Sequence, residues 1–183
     1  MRVVSGEFGG LNLKPVPGVN TRPTAAKVKE SIFNIINPYM SGGNCLDLFA
    51  GTGSLGIEAV SRGYNKSYLV DKDFKAIDVI KENIAKTHIS EKFEVIAGKA
   101  TDALKKLQAE EVKLDLVFLD PPYRMHITEE IVENMIADKL LNNGCLIVIE
   151  TDYEVTKSDL ASLSVLQEKS YGETKILIYK YKE

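Results

Sequence analysis

The sequence predicts an α/β protein with a mostly parallel, seven-stranded sheet, a small β-hairpin and helix in front of it, and an antiparallel hairpin at its end. Two observations carry this. From residue 44 onward, short apolar runs alternate with helical segments, and that alternation requires crossover connections and parallel strands. Over residues 163–181 it stops, and two extended runs flank Tyr171-Gly172-Glu173 instead, as an added edge hairpin would.

Residues 2–8 and 11–16 are extended runs around Gly9-Gly10, which predicts a hairpin. A loop containing Pro17, Gly18, Asn20 and Pro23 follows. After Thr24, the spacing of Val28, Ile32 and Ile35 predicts a helix with one apolar face, which Lys27 and Glu30 avoid and Asn37-Pro38 terminates. Cys45–Phe49 reads as a strand and Ser54–Arg62 as a helix closed by Gly63. Then come strand 67–71, helix 73–87, strand 93–97, helix 100–108, strand 114–119, helix 127–140 and strand 144–151. Residues 1–40 are expected to form an extension, and residues 41–183 the main domain.

The composition excludes several classes. The 183 residues are 44% hydrophobic and 27% charged, enough for an ordinary core and unlike a disordered chain. No run approaches the roughly 18–20 apolar residues of a membrane span. The N-terminus shows no apolar signal region, so a cytoplasmic protein is expected. Cys45 and Cys145 lie in strand-like runs and predict buried thiols; His88 and His126 have no metal-ligand spacing. The net charge of −3 argues against a general polyanion binder, yet residues 1–40 hold Arg2, Lys14, Arg22, Lys27 and Lys29 against only Glu7 and Glu30. A basic face on an acidic body suits a local phosphate contact.

Gly51-Thr52-Gly53-Ser54-Leu55-Gly56 matches the dinucleotide fingerprint between a strand and a helix. Asp71 ends the next strand, where a carboxylate can accept from ribose hydroxyls. This alone permits a nicotinamide-dependent oxidoreductase. Asp47 points elsewhere: a carboxylate among apolar neighbours needs a cationic or donor partner, and an amino-acid ammonium suits it where a pyrophosphate is repelled.

Asp120-Pro121-Pro122-Tyr123 follows a wholly apolar strand end, at the sheet edge where open α/β folds bind ligands. Two prolines leave stiffly placed carbonyl acceptors. An acid, a rigid acceptor and an aromatic ring fit a planar base bearing an exocyclic amine: Asp120 and the Pro121 carbonyl take its two N–H groups, and Tyr123 stacks. Asp120 is then the candidate general base.

Asp47-Leu48-Phe49-Ala50-Gly51-Thr52-Gly53 resembles the first motif of class I S-adenosylmethionine-dependent methyltransferases, a Rossmann-like fold. The resemblance implies that Asp47 and the backbone of Phe49, Ala50, Gly51, Thr52 and Gly53 surround the methionine end. It implies that Asp71 holds the ribose and that Lys72 packs near the adenine. Where relatives show Gly-Asp-Ala, this chain has Gly98-Lys99-Ala100, which leaves the adenine to the backbone around Ala100, to the carboxylate of Asp102, or to packing alone. The Asp-Pro-Pro-Tyr signature resembles that of methyltransferases acting on exocyclic amines of adenine, cytosine and guanine.

Arg2–Gly6 with Gly9-Gly10, Arg22-Pro23-Thr24, Val28–Asn34, Leu46–Gly56, Asp120–Tyr123 and the final Gly172–Tyr179 run together resemble the RsmD family of bacterial 16S ribosomal RNA guanine-N2 methyltransferases. The resemblance implies S-adenosylmethionine as donor and S-adenosylhomocysteine as product. It also implies a guanine of 16S rRNA as target, in the 30S subunit or an assembly intermediate, and a monomeric enzyme. Arg2, Arg22, Lys27, Lys29 and Arg124 are the candidate RNA contacts. The alternatives are a DNA adenine-N6 or cytosine-N4 methyltransferase, the oxidoreductase, and a non-catalytic RNA-binding module.

Overall fold

The structure, a computed structural model, describes residues 1–18, 23–122, 127–153 and 161–183. The sheet is built from β1 (Asn44–Asp47), β2 (Lys66–Asp71), β3 (Phe93–Ala97), β4 (Leu114–Leu119), β5 (Leu141–Thr151), β6 (Leu163–Tyr171) and β7 (Thr174–Tyr181). The helices are α1 (Pro23–Ile36), α2 (Ser54–Ser61), α3 (Phe74–Ala85), α4 (Ala100–Ala109) and α5 (Thr128–Ala137).

The strand order is β3-β2-β1-β4-β5-β7-β6. The first five are parallel, and β7 runs antiparallel to both β5 and β6. The chain moves outward from β1 to β3, then returns to place β4 on the other side of β1. That reversal opens a crevice beyond the carboxyl ends of β1 and β4, where the glycine turn and Asp120 emerge.

β4 shows why its sequence is apolar throughout its second half. Val117 and Leu119 face a core made with Leu104 and Leu107 of α4 and Ile131 and Met135 of α5. Leu116 and Phe118 face the opposite core, with Val28, Ile32, Phe33 and Ile36 of α1. A strand buried on both faces has no polar side to display. The buried face of α1 therefore runs through Val28, Ile32, Phe33 and Ile36, with Ile35 only half-buried. Residues 1–18 share a further core: Val3 and Leu13 pack with Ile57 and Val60 of α2 and Ile80 of α3.

Two expectations change. The stretch 2–8 is not an extended strand: a single antiparallel bridge joins Arg2 and Asn12, and residues 5–10 turn. Tertiary partners decide this. Glu58 accepts from the N–H groups of Val4 (2.8 Å) and Ser5 (3.1 Å), and Ser61 accepts from Glu7 at its carbonyl and from Phe8 at its hydroxyl. The helix expected to reach residue 140 ends at Ala137, and β5 starts at Leu141, with a register irregularity before Leu146 where Gly144 takes a φ of +87°.

Candidate active site

The turn after β1 is tied to both neighbouring strands. Leu48 N–H donates to the Phe118 carbonyl of β4 (3.2 Å) and Ala50 N–H to the Val70 carbonyl of β2 (2.8 Å). Gly51 and Gly53 take φ values of +59° and +83°, a region open to glycine. A Cβ on Gly51 would meet no heavy atom within 4 Å, because that face of the turn looks into open space. Gly56 has a different duty. A Cβ there would collide with Leu69 and lie 2.6 Å from Ser67 Oγ, so its absence lets α2 seat against β2. Asn83, fully buried on α3, donates to the Thr52 carbonyl (2.9 Å) and props the turn from below, while also exchanging hydrogen bonds with the backbone of Lys14. A buried amide among Ile77, Ile80 and Ile84 was the one sequence signal for this role.

The cleft at the strand ends has a volume of about 690 Å³. Of the sequence-predicted residues, Phe49, Gly51, Asp71, Lys72, Ala100, Asp120, Pro121 and Pro122 line it. Asp47, Ala50 and Gly53 are buried beside it instead, and Thr52 is half-buried in the turn. Gly98–Thr101 line the wall and Asp102 does not, which favours backbone over the Asp102 carboxylate. Tyr123, Arg124 and Arg22 lie outside the described residues, as does His126.

Among the basic candidates, Arg2 and Lys27 are exposed. Lys29 is not an RNA contact. It is 3% exposed, and its ammonium pairs with Glu58 (3.1 Å) and donates to the Arg2 carbonyl (2.8 Å) and Ser54 Oγ (3.0 Å). Glu58 also binds Arg62 Nε at 3.0 Å. The lysine lies on the helix face that carries Ile32, Phe33 and Ile36, so burial of that face carries it inward. It joins residues 1–5, α1 and α2 into one ionic knot.

Four carboxylates gather at the strand ends. Asp71 is half-exposed; its Oδ2 accepts from Gly51 N–H and its Oδ1 from Asp73 N–H, both at 2.9 Å. Asp47 accepts from Gly56 N–H (3.2 Å), yet burial, with help from Asp71 and Glu150, pushes its pKa up to about 7. Asp120 is exposed to the cleft. Desolvation, then the charges of Glu150 and Asp47, raise its proton affinity well above the carboxylate range. Glu150, at the end of β5, is likewise raised by burial. Glu150 was not singled out from the sequence, because its approach to Asp120 depends on the β4–β5 register. Such an acidic end repels a pyrophosphate and attracts a cationic ligand.

The family model described as conserved hypothetical protein 95 matches residues 1–180. The Bacillus subtilis protein YlbH, a candidate rRNA methyltransferase by name, is 42% identical over 98% of both chains. The ribosomal RNA small subunit methyltransferase D of Haemophilus influenzae is 33% identical over 98% of this chain and 93% of its own. This chain belongs to the RsmD family. The solved structure of the Escherichia coli methyltransferase candidate yhhF superposes with a TM-score of 0.84 at 31% identity, covering 100% of this chain and 98% of that one. The same fold is found in a Streptococcus mutans protein described as a candidate S-adenosylmethionine-dependent methyltransferase, at a TM-score of 0.69 and 15% identity over 87% of this chain and 49% of that one.

The residues present suit that cofactor. S-adenosylmethionine carries an ammonium and a sulfonium, which the clustered carboxylates favour, and no phosphate for them to repel. The open face of Gly51 admits a ligand against the backbone, and Asp71 still has lone pairs for ribose hydroxyls after its two backbone bonds. No helix among the described residues is long and apolar enough to cross a membrane.

Proposed function

We propose that this protein methylates the exocyclic N2 amine of a guanine in the 16S rRNA of the small ribosomal subunit. The observation that carries the reading is the placement of Asp120 and Pro121 at the carboxyl end of β4, in one cleft with the glycine turn that follows β1. The H. influenzae relative is named for the small-subunit rRNA, which supports an RNA substrate; in this reading a monomeric enzyme meets it in the 30S subunit or an assembly intermediate.

S-adenosylmethionine, when bound, supplies an electrophilic methyl group on a sulfonium sulfur. Asp47 and the backbone of residues 49–53 would hold its methionine end, Asp71 its ribose, and Lys72 with the backbone at Ala100 its adenine. The guanine amine is conjugated with its ring and is a weak nucleophile. Asp120 and the Pro121 carbonyl accept its two N–H groups, which draws the nitrogen toward tetrahedral geometry and aims its lone pair at the methyl carbon. This positioning, with water excluded by Phe49, Pro121 and Pro122, supplies much of the acceleration. Transfer to N2 would form the N2–C bond as the methyl–sulfur bond breaks, with that bond's electron pair staying on sulfur. The N2 proton then passes to Asp120, the carboxylate that already accepts one of the amine's hydrogens. Tyr123, outside the described residues, is assigned the stacking role by its sequence position. Residues 1–40 form the RNA-facing extension in this reading, with Arg2 and Lys27 as phosphate contacts that set position and salt dependence, not sequence.

Incubation with methyl-labelled S-adenosylmethionine and 30S particles lacking the modification, followed by digestion to nucleosides, tests this. The expected product is N2-methylguanosine, abolished by Asp120→Ala. Label in N6-methyladenosine would retain the amine chemistry and overturn the substrate.

A further inference from the structure

Glu150 has no task in the mechanism above, yet it lines the same cleft as Asp120 and Pro121. It follows the apolar run Cys145–Ile149 near the end of β5, and its backbone is held in register opposite Ile176 of β7. Leu119 pairs with Ile149 in the parallel ladder, so Asp120 and Glu150 leave adjacent strands at the same level. Alternation places Glu150 on the face of Val148, the side to which Phe118, two residues before Asp120, also points. The electrostatic influence of Glu150 on Asp120 agrees with that proximity.

Among the described residues no hydrogen-bond donor reaches the Glu150 carboxylate, and burial raises its proton affinity. A half-buried carboxylate with no protein donor is costly unless a ligand supplies one. The amino bases differ in what they present beside the reactive amine. In guanine, N2 is flanked by N1–H, a donor, on one side and by N3, an acceptor, on the other, and an accepting carboxylate faces the N1 side. In adenine and cytosine, the amine is flanked by a ring nitrogen with a lone pair, an acceptor. With Asp120 and Pro121 holding both hydrogens of the amine, an adjacent carboxylate is matched to guanine and opposed to the other two.

We propose that Glu150 is the base-selecting residue: its carboxylate accepts the N1–H of the target guanine while Asp120 and Pro121 hold N2. The assignment rests on the guanine-N2 reading above and goes further by naming the group that enforces it. A site built to accept from a substrate N–H strongly rejects the analogue that lacks it, because the carboxylate is then left facing a lone pair.

The probe is 2-aminopurine, which keeps the 2-amino group but has an unprotonated N1. The modified guanine is first mapped with the wild-type enzyme, and 30S particles are then reconstituted with guanine or 2-aminopurine at that position. Methyl transfer is compared for wild type, Glu150→Gln and Glu150→Asp, with S-adenosylmethionine affinity measured by calorimetry for each. The wild type is expected to favour guanine by on the order of 100-fold or more. Glu150→Gln, whose amide can donate to the bare N1, is expected to lose that preference at least tenfold while binding cofactor as the wild type does. A wild-type preference near unity overturns the proposal without reference to any variant. So does an unchanged preference in Glu150→Gln, or a loss of cofactor affinity in both variants. Failure of the wild type to form any N2-methylguanosine is a separate result, and it overturns the parent reading and this one together.

Discussion

The backbone N–H of Gly51 donates to Oδ2 of Asp71 across 2.9 Å, joining the glycine turn after β1 to the end of β2. One carboxylate thus shapes the turn and faces the cleft. Asp71→Ala removes both roles and is expected to weaken S-adenosylmethionine binding by about 1.5–3 kcal/mol, the worth of hydrogen bonds to a charged group. Asp71→Asn, which keeps an acceptor, should lose less. Titration calorimetry checks both.

Asp120→Asn keeps an acceptor for one N–H but cannot take the proton. It is expected to lower kcat by about 10²–10⁴-fold, the usual share of a general base. Cofactor affinity should be unchanged, so the loss falls on single-turnover rate and not on the calorimetric Kd.

Asp47 predicts a pH dependence. Its pKa stands at about 7 in the ligand-free protein, against about 3.9 in an unfolded chain. A folded value above the unfolded one means that this group's stabilising contribution is present below pH ~4 and is lost as pH rises through 7. Binding has the opposite sense, because a cationic ligand favours the carboxylate. S-adenosylmethionine should therefore bind more tightly as pH rises from 6 to 8, with proton release. Calorimetry in buffers of different ionisation enthalpy reads that proton, and Asp47→Asn should abolish its release.

Glu58 predicts the stability effect. Burial pushes its pKa up, but the Val4 N–H, Lys29, Arg62 and the Ser5 N–H together hold it below the ordinary range. A depressed folded value contributes stability above the unfolded pKa and loses it as pH falls through the folded one. Glu58→Gln leaves Lys29 buried without a counter-ion, expected to cost about 3–5 kcal/mol. For a chain of this size that lowers Tm by roughly 10 °C, readable by scanning calorimetry, and the deficit should shrink in acid.

Lys27 and Lys29 separate surface from interior. Lys27→Ala is expected to reduce the slope of log affinity for 30S particles against log salt by about one contact. Lys29→Met should leave that slope alone and lower Tm instead.

The sequence by itself determined the α/β alternation, the terminal hairpin, the glycine turn and the Asp120–Pro122 edge. Each rests on residues close together in the chain, where strand and helix periods and the special conformations of glycine and proline act locally. Gly51, Asp71 and Asp120 were legible because a strand end followed by a turn has one place to go in such a sheet. The tertiary structure alone decided the rest. The run 2–8 looked extended until Glu58 and Ser61 captured its N–H groups. Lys29 looked like a surface cation until packing of Ile32 and Phe33 carried it onto Glu58. Asn83 meets Thr52, and Glu150 comes level with Asp120, only through helix packing and strand register. Those contacts join residues far apart in the chain, and their energy comes from burial, which exists only once the sheet has formed.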